Sequence, residues 1–141
     1  MKHTQILLAF LLVGLGNFEF GQSAADEFAR SVSTLRNVGS EGEGNVAASQ
    51  AMEYLSNSGK EAIPALLFEM NGANPFAANY LRGAVEVIFN KNLKEGGSLP
   101  LVALGEFLLN KSHDTKPRAM AFDLIKRTDP SVANRLIPGF L

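Results

Sequence analysis

The chain has 141 residues, a net charge of −1 and a pI of about 6.1. That length suits one domain, and the balanced charge excludes a broad basic surface for nucleic acid or anionic lipid. The absence of Cys excludes disulfides, thiol catalysis, thiolate-ligated metal and lipoprotein attachment.

The N-terminus has the order of a secretory signal. Met1-Lys-His-Thr-Gln5 is short and basic, Ile6 to Gly16 is an apolar run, and Gly21-Gln-Ser-Ala-Ala25 is a small-residue patch. The run is shorter than the ~20 residues that span a bilayer. Residues 1–25 are therefore read as a signal peptide cleaved between Ser23 and Ala25, with an uncleaved anchor as the alternative. The expectation is export, periplasmic or secreted, with no membrane span after cleavage.

Asp26 to Val38 predicts a helix, with Phe28, Val32 and Leu35 on one face. Gly39-Ser-Glu-Gly-Glu-Gly44 is a solvated loop and lacks the regular Asp spacing of a calcium site. Asn45 to Asn57 predicts the next helix through Ala48, Ala51, Met52 and Leu55.

The central stretch, Ser58 to Asn90, predicts a helix pair. Ile63, Leu66, Leu67 and Met70 form one stripe, and Ser58-Gly-Lys-Glu61 has capping-box spacing. Asn71-Gly72 ends the first helix, and Asn74-Pro75 offers an N-cap followed by proline at the first helical position. In the second helix Ala77, Leu81, Ala84 and Ile88 align, and Val85 and Val87 widen the face. Asn79, Arg82, Glu86 and Asn90 make a thin polar stripe.

Beyond the linker Lys91–Gly97, Ser98 is the expected cap of a helix over Leu99–Leu109, with Leu101, Leu104 and Leu108 aligned. Pro117 to Arg127 predicts a helix with Ala121, Leu124 and Ile125 inward, and Asp123 and Arg127 form an i,i+4 pair. Asp129-Pro130 caps a last helix with Ala133, Leu136, Ile137 and Phe140 aligned. No period-2 strand signal stands out.

Two interleaved series repeat along the chain. Ile63-Pro-Ala-Leu-Leu67, Leu99-Pro-Leu-Val-Ala103 and Ile137-Pro-Gly-Phe-Leu141 place prolines at positions 64, 100 and 138. Ala51-Met-Glu-Tyr-Leu55, Ala84-Val-Glu-Val-Ile88 and Ala121-Phe-Asp-Leu-Ile125 place alanines at positions 51, 84 and 121. The unit is a helix pair: 26–57, 58–90, 98–128 and a partial copy at 130–141. The Ile-Pro-x-Leu-Leu first helix and the apolar second helix starting near Arg82 or Arg118 resemble the HEAT-repeat family of armadillo-like helical proteins. The Val38-Gly-Ser-Glu-Gly opening is similar to the front of large exported bacterial proteins of that kind. Asn74 and Asp114 only roughly take the place of the interhelical Asp. The resemblance implies an all-α fold, a short right-handed α-solenoid of antiparallel helix pairs over residues 26–141. It also implies that Pro64 and Pro138 kink their helices, whereas Pro100 lies in a first turn.

Chemistry is sparse. His113 is the sole histidine after signal removal and is read as a solvated loop residue, since no second His or Cys can join it. Ser112 beside it lacks the partners of a triad. Phe68, Phe76, Phe89, Phe107, Phe122 and Phe140 read as core. No catalytic residue, cofactor or metal is expected. The recurrent polar feature is a carboxylate at Glu53, Glu86 and Asp123, which is either a solvated face or a ladder on a binding surface. With Asn79, Arg82 and Arg127 it makes the candidate partner site, suited to a basic, extended protein segment. The expected function is a non-catalytic protein-interaction or scaffolding module; the alternative is the N-terminal part of a larger exported enzyme or enzyme accessory. Leu136, Ile137, Phe140 and Leu141 do not form a polar cap, so the last helix is expected to meet either further chain or a second subunit.

Overall fold

A computed structural model describes residues 21–39 and 44–140. The basic start, the apolar run, the middle of the Gly39–Gly44 loop and Leu141 lie outside the described residues. The chain divides into two compact units, Met1–Arg30 and Ser31–Leu141. In the first, residues 21–30 are helical and carry an Arg30–Glu27 ion pair at 2.8 Å. Helical backbone extends to residue 36, and the whole segment 21–36 is called α1. All the remaining elements belong to the second unit.

After α1 come α2 (Asn45–Ser56), a 3-10 turn (Lys60–Ala62), α3 (Ile63–Glu69), α4 (Pro75–Lys94), α5 (Leu101–Leu109), α6 (Thr115–Thr128) and α7 (Pro130–Phe140). No strand occurs among the described residues. The second unit is therefore all-α, as the 3.6-residue periodicity predicts.

The caps explain most boundaries, and several differ from expectation. Asn74 caps α4 as predicted: its Oδ1 accepts the amides of Phe76 and Ala77, each at 2.9 Å. Gly72 takes the left-handed conformation, φ +61°, that lets the chain turn from α3 into α4. Asp129 starts α7 by accepting Ser131 Oγ at 2.7 Å and the Ser131 and Val132 amides. The Ser131 hydroxyl and the Val132 amide hold its carboxyl below the ordinary range.

The predicted caps at Ser58 and Ser98 are not formed. Gly59 precedes the 3-10 turn without a side-chain cap, and α5 begins later than expected, behind Pro100. Ser98 Oγ instead accepts Lys60 Nζ at 3.5 Å. Pro64 also departs from expectation. It lies in the first turn of α3, where a missing amide costs no intrahelical bond, so it restarts the helix after the 3-10 turn rather than kinking it. Pro138 does lie inside α7. Helix α4 runs one turn past the predicted Asn90, ending at Lys94.

The core follows the predicted stripes. Ile63, Leu66, Leu67, Leu81, Val85, Leu104, Leu108, Leu124 and Ile125 are fully buried. Helix α4 packs against α2 and α3; α3 also meets α5 and α6; α5 packs on α6 and α7; and α6 meets α7. Val87 is a correction: 45% exposed, it lies off the buried face. In α7 only Ala133 is buried, and Ile137 is exposed. Of the six phenylalanines read as core, Phe89 and Phe107 are buried, but Phe68 and Phe76 are exposed. Their helices turn those positions outward, and aromatic character alone did not reveal it.

Successive turns are tied to one another. Asn74 Nδ2 donates to the Val38 carbonyl at 3.0 Å, bringing together turns far apart in sequence. The Asp114 carboxylate accepts the Gly72 amide at 2.8 Å, and the Asp114 amide donates to Asn71 Oδ1 at 2.7 Å. Arginines grip the helix C-termini, where carbonyls lack partners and the dipole favours a cation. Arg36 donates to the Glu69 carbonyl and, at 3.3 Å, to that of Asn71. Arg118, almost wholly buried, donates to the Leu108 carbonyl at 2.7 Å and the Phe140 carbonyl at 3.1 Å.

Asn74→Ala therefore removes a cap and a turn-to-turn bond together, and should cost about 2 kcal/mol in urea unfolding. Asn74→Asp keeps the cap but cannot donate to Val38, and should lose about half as much. Equal losses in the two variants would show that the cap contributes nothing beyond the turn-to-turn bond, and no loss with Asp would show the reverse.

Candidate partner-binding cleft

The first turns of α4 and α6 flank one cleft, and their preceding turns are joined through Asn71, Gly72 and Asp114. The cleft has two adjoining compartments. The smaller, about 380 Å³, is bordered by Met70, Ala73, Pro75, Ala78, Asp114 and Lys116. The larger, about 510 Å³, shares Met70, Pro75, Ala78 and Lys116 and adds Asn79, Arg82, Ala119 and Met120. Alanines and a proline keep the walls low. Met120 adds flexible apolar surface that can reshape around an occupant, while Met70, 7% exposed, belongs to the buried floor.

Cations border this apolar cleft. Among the described residues neither Arg82 nor Lys116 makes an ion pair, and both are exposed. Glu86 stands at the i+4 position from Arg82, the spacing of a helical ion pair, but it is engaged elsewhere. Arg127 Nη1 donates to both Glu86 oxygens at 3.1 Å and to Asp123 Oδ2 at 3.3 Å. Its Nη2 reaches Asn90 Oδ1 at 3.4 Å, and the guanidinium lies 4.2 Å from the Phe89 ring centroid. Partial burial works against the Arg127 charge, but the hydrogen bonds and charges of Glu86 and Asp123 outweigh it and raise its pKa.

The predicted site residues thus divide into three places. Asn79 and Arg82 border the cleft. Glu86, Asp123 and Arg127 form a mixed-charge cluster joining α4 to α6. Glu53 lies exposed on α2 and is not joined to that cluster. Two of the three recurrent acids therefore share one internal cation, and their recurrence does not require a cationic partner. Lys116, Met70, Ala78 and Met120 were missed as lining. One signal was available: Lys116 follows Arg82 by about one repeat of the sequence, which places the two on neighbouring second helices.

His113 differs from its predicted solvated state. Its ring stacks on Phe107 at 4.1 Å and meets Phe68 edge-on at 5.7 Å. Asn71 Nδ2 lies 3.3 Å from Nδ1, and Asn110 Nδ2 lies 3.4 Å from Nε2. A neutral ring accepts at one nitrogen only, so one of these amides donates to it, and of the two contacts the one with Asn71 runs from turn to turn. Ser112 Oγ is bound to Asn110 Oδ1 at 2.7 Å, so it does not face the imidazole as a nucleophile would. Among the described residues no three His, Cys, Asp or Glu side chains converge as metal ligands. No described helix is long and apolar enough to cross a membrane. No protein-family model, curated protein or solved structure matches the chain.

Proposed function

We propose that this chain is an exported, non-catalytic protein-interaction module built from HEAT-like helix pairs, and that its partner docks on the α4–α6 face. The observation that carries the reading is the cleft itself: an open apolar channel bordered by two cations that have no ionic partner among the described residues. Such a surface suits recognition of an extended segment, in which a few apolar contacts supply affinity and charges supply register.

The solenoid reading draws support from the order of packing. Second helices α2 and α4 adjoin, as do first helices α3, α5 and α7 in succession. The Asn74–Val38 and Gly72–Asp114 bonds join turn to turn, the first at a separation of 36 residues, near the sequence period. Export rests on the basic, apolar and small-residue order of residues 1–25.

A photo-crosslinking amino acid placed at Ala78 or Ala119 tests the docking face in cells, with Val102, 78% exposed on α5, as the comparison position. Discrete protein adducts are expected from the two cleft positions and not from Val102. Adducts from Val102 alone, or none from either cleft position, would remove the α4–α6 face from consideration.

A further inference from the structure

We infer that the α4–α6 cleft takes an extended acidic segment of a partner protein, with an apolar residue over Met70 and Pro75 and a carboxylate near Arg82 and Lys116. This rests on the proposal that the cleft is the docking surface, and adds the chemistry and register of the occupant.

Length comes first. Along α4 the lining runs from Pro75 to Arg82, a helical rise of about 10 Å. An extended chain covers that distance in about three residues. The occupant is a short linear segment rather than a folded surface.

Charge sets the register. Arg82 borders only the larger compartment, Lys116 borders both, and Asp114 borders only the smaller. The Asp114 carboxylate is already bound to the Gly72 amide and repels a second acid at that end. Glu86, the acid at the i+4 position from Arg82, is occupied, since it lies on Arg127. An incoming carboxylate therefore finds its cations at the Arg82 end, and an uncharged apolar residue fits the end nearer Asp114. Two cations in a chain of net charge −1 do not make the phosphate-tracking surface that nucleic acid needs.

The probe is a fluorescein-labelled heptapeptide with a central Leu-Asp-Glu, read by fluorescence anisotropy with the purified chain. Its counterparts carry Leu-Lys-Lys or Ser-Asp-Glu at the centre, and a labelled oligothymidine stands for nucleic acid. The Leu-Asp-Glu probe should bind, weaken with added salt, and lose roughly tenfold in affinity with the R82E/K116E double variant. The Leu-Lys-Lys probe should not bind, and Ser-Asp-Glu should bind more weakly than Leu-Asp-Glu. Both substituted side chains are exposed, so the helical circular-dichroism signal should be unchanged. The inference is overturned if no peptide binds at millimolar concentration, if the double variant binds equally well, or if the lysine probe or the oligothymidine binds more tightly. Should Ala78 still crosslink to protein in cells when any of these occurs, the docking face stands and only the acidic occupant falls.

Discussion

Replacing Arg118 by Met should destabilise the protein by about 3 kcal/mol, although the new side chain is apolar and keeps the aliphatic stem. Arg118 is 9% exposed and joins three elements. From α6 its Nε donates to the last turn of α5 at Leu108, and its Nη2 donates to the end of α7 at Phe140. The guanidinium also lies 5.1 Å from the Phe140 ring centroid. Methionine replaces only the aliphatic stem and leaves two C-terminal carbonyls without these donors, in a region where water is largely excluded. Hydrogen bonds from charged donors contribute about 1.5–3 kcal/mol each. Relief from burying a charge offsets part of that loss, which places the expected value well below the combined maximum. Lysine has the charge without the fork, so Arg118→Lys should recover only one of the two bonds and fall between the variants. Urea unfolding measures the order wild type, Lys, Met. Native-state hydrogen exchange should locate the damage in α7 first, because Arg118 holds its final carbonyl. A Met variant as stable as wild type would show that Arg118 is merely accommodated.

Arg118 also shows where reading the sequence stops. Helical periodicity made the stripes of α3, α4 and α6 legible because each repeats the same apolar spacing, and the residues predicted inward at 63, 66, 67, 81, 124 and 125 are buried. Asn74-Pro75 and Asp129-Pro130 were legible because a cap and a first-turn proline act within a single helical turn. Ser58 and Ser98 failed for the converse reason. Cap spacing fixes a start only if the following residues continue in α geometry, and here a 3-10 turn and Pro100 intervene.

Arg36 and Arg118 were not legible as helix clamps, since the carbonyls they reach are defined only once helices are packed. The Glu53, Glu86 and Asp123 recurrence was visible, but its meaning was not. The i,i+4 spacing gave the Arg127–Asp123 pair; the Arg127–Glu86 pair, between different helices, required the α4–α6 approach. The cleft followed the same pattern. Its cations were visible as letters, while the space between them depends on how the turns at 71–74 and 110–114 join.

Leu81→Ala should cost about 2–5 kcal/mol, among the largest losses available to a single truncation here. Leu81 is fully buried in α4, the helix that packs against both α2 and α3. Truncation removes an isopropyl group from the middle of that packing, and the remaining cavity adds to the lost transfer energy because the two flanking helices cannot both collapse into it. Val87 provides the matched control. It lies on the same helix but is 45% exposed, and Val87→Ala should change stability by less than about 0.5 kcal/mol. The contrast tests the orientation of α4, since a rotation that buried Val87 would expose Leu81 and reverse the order. The reach of the damage tests the repeat reading. In a stack of helix pairs each unit depends on its neighbours' interfaces, so Leu81→Ala should reduce hydrogen-exchange protection in α2 and α3 as well as α4. Leu66→Ala, also fully buried, should act in the same way from α3 and extend toward α5 and α6, on which α3 packs. Near-neutral values at both Leu66 and Leu81 would contradict the helix pair at 58–90 and the cleft that depends on it.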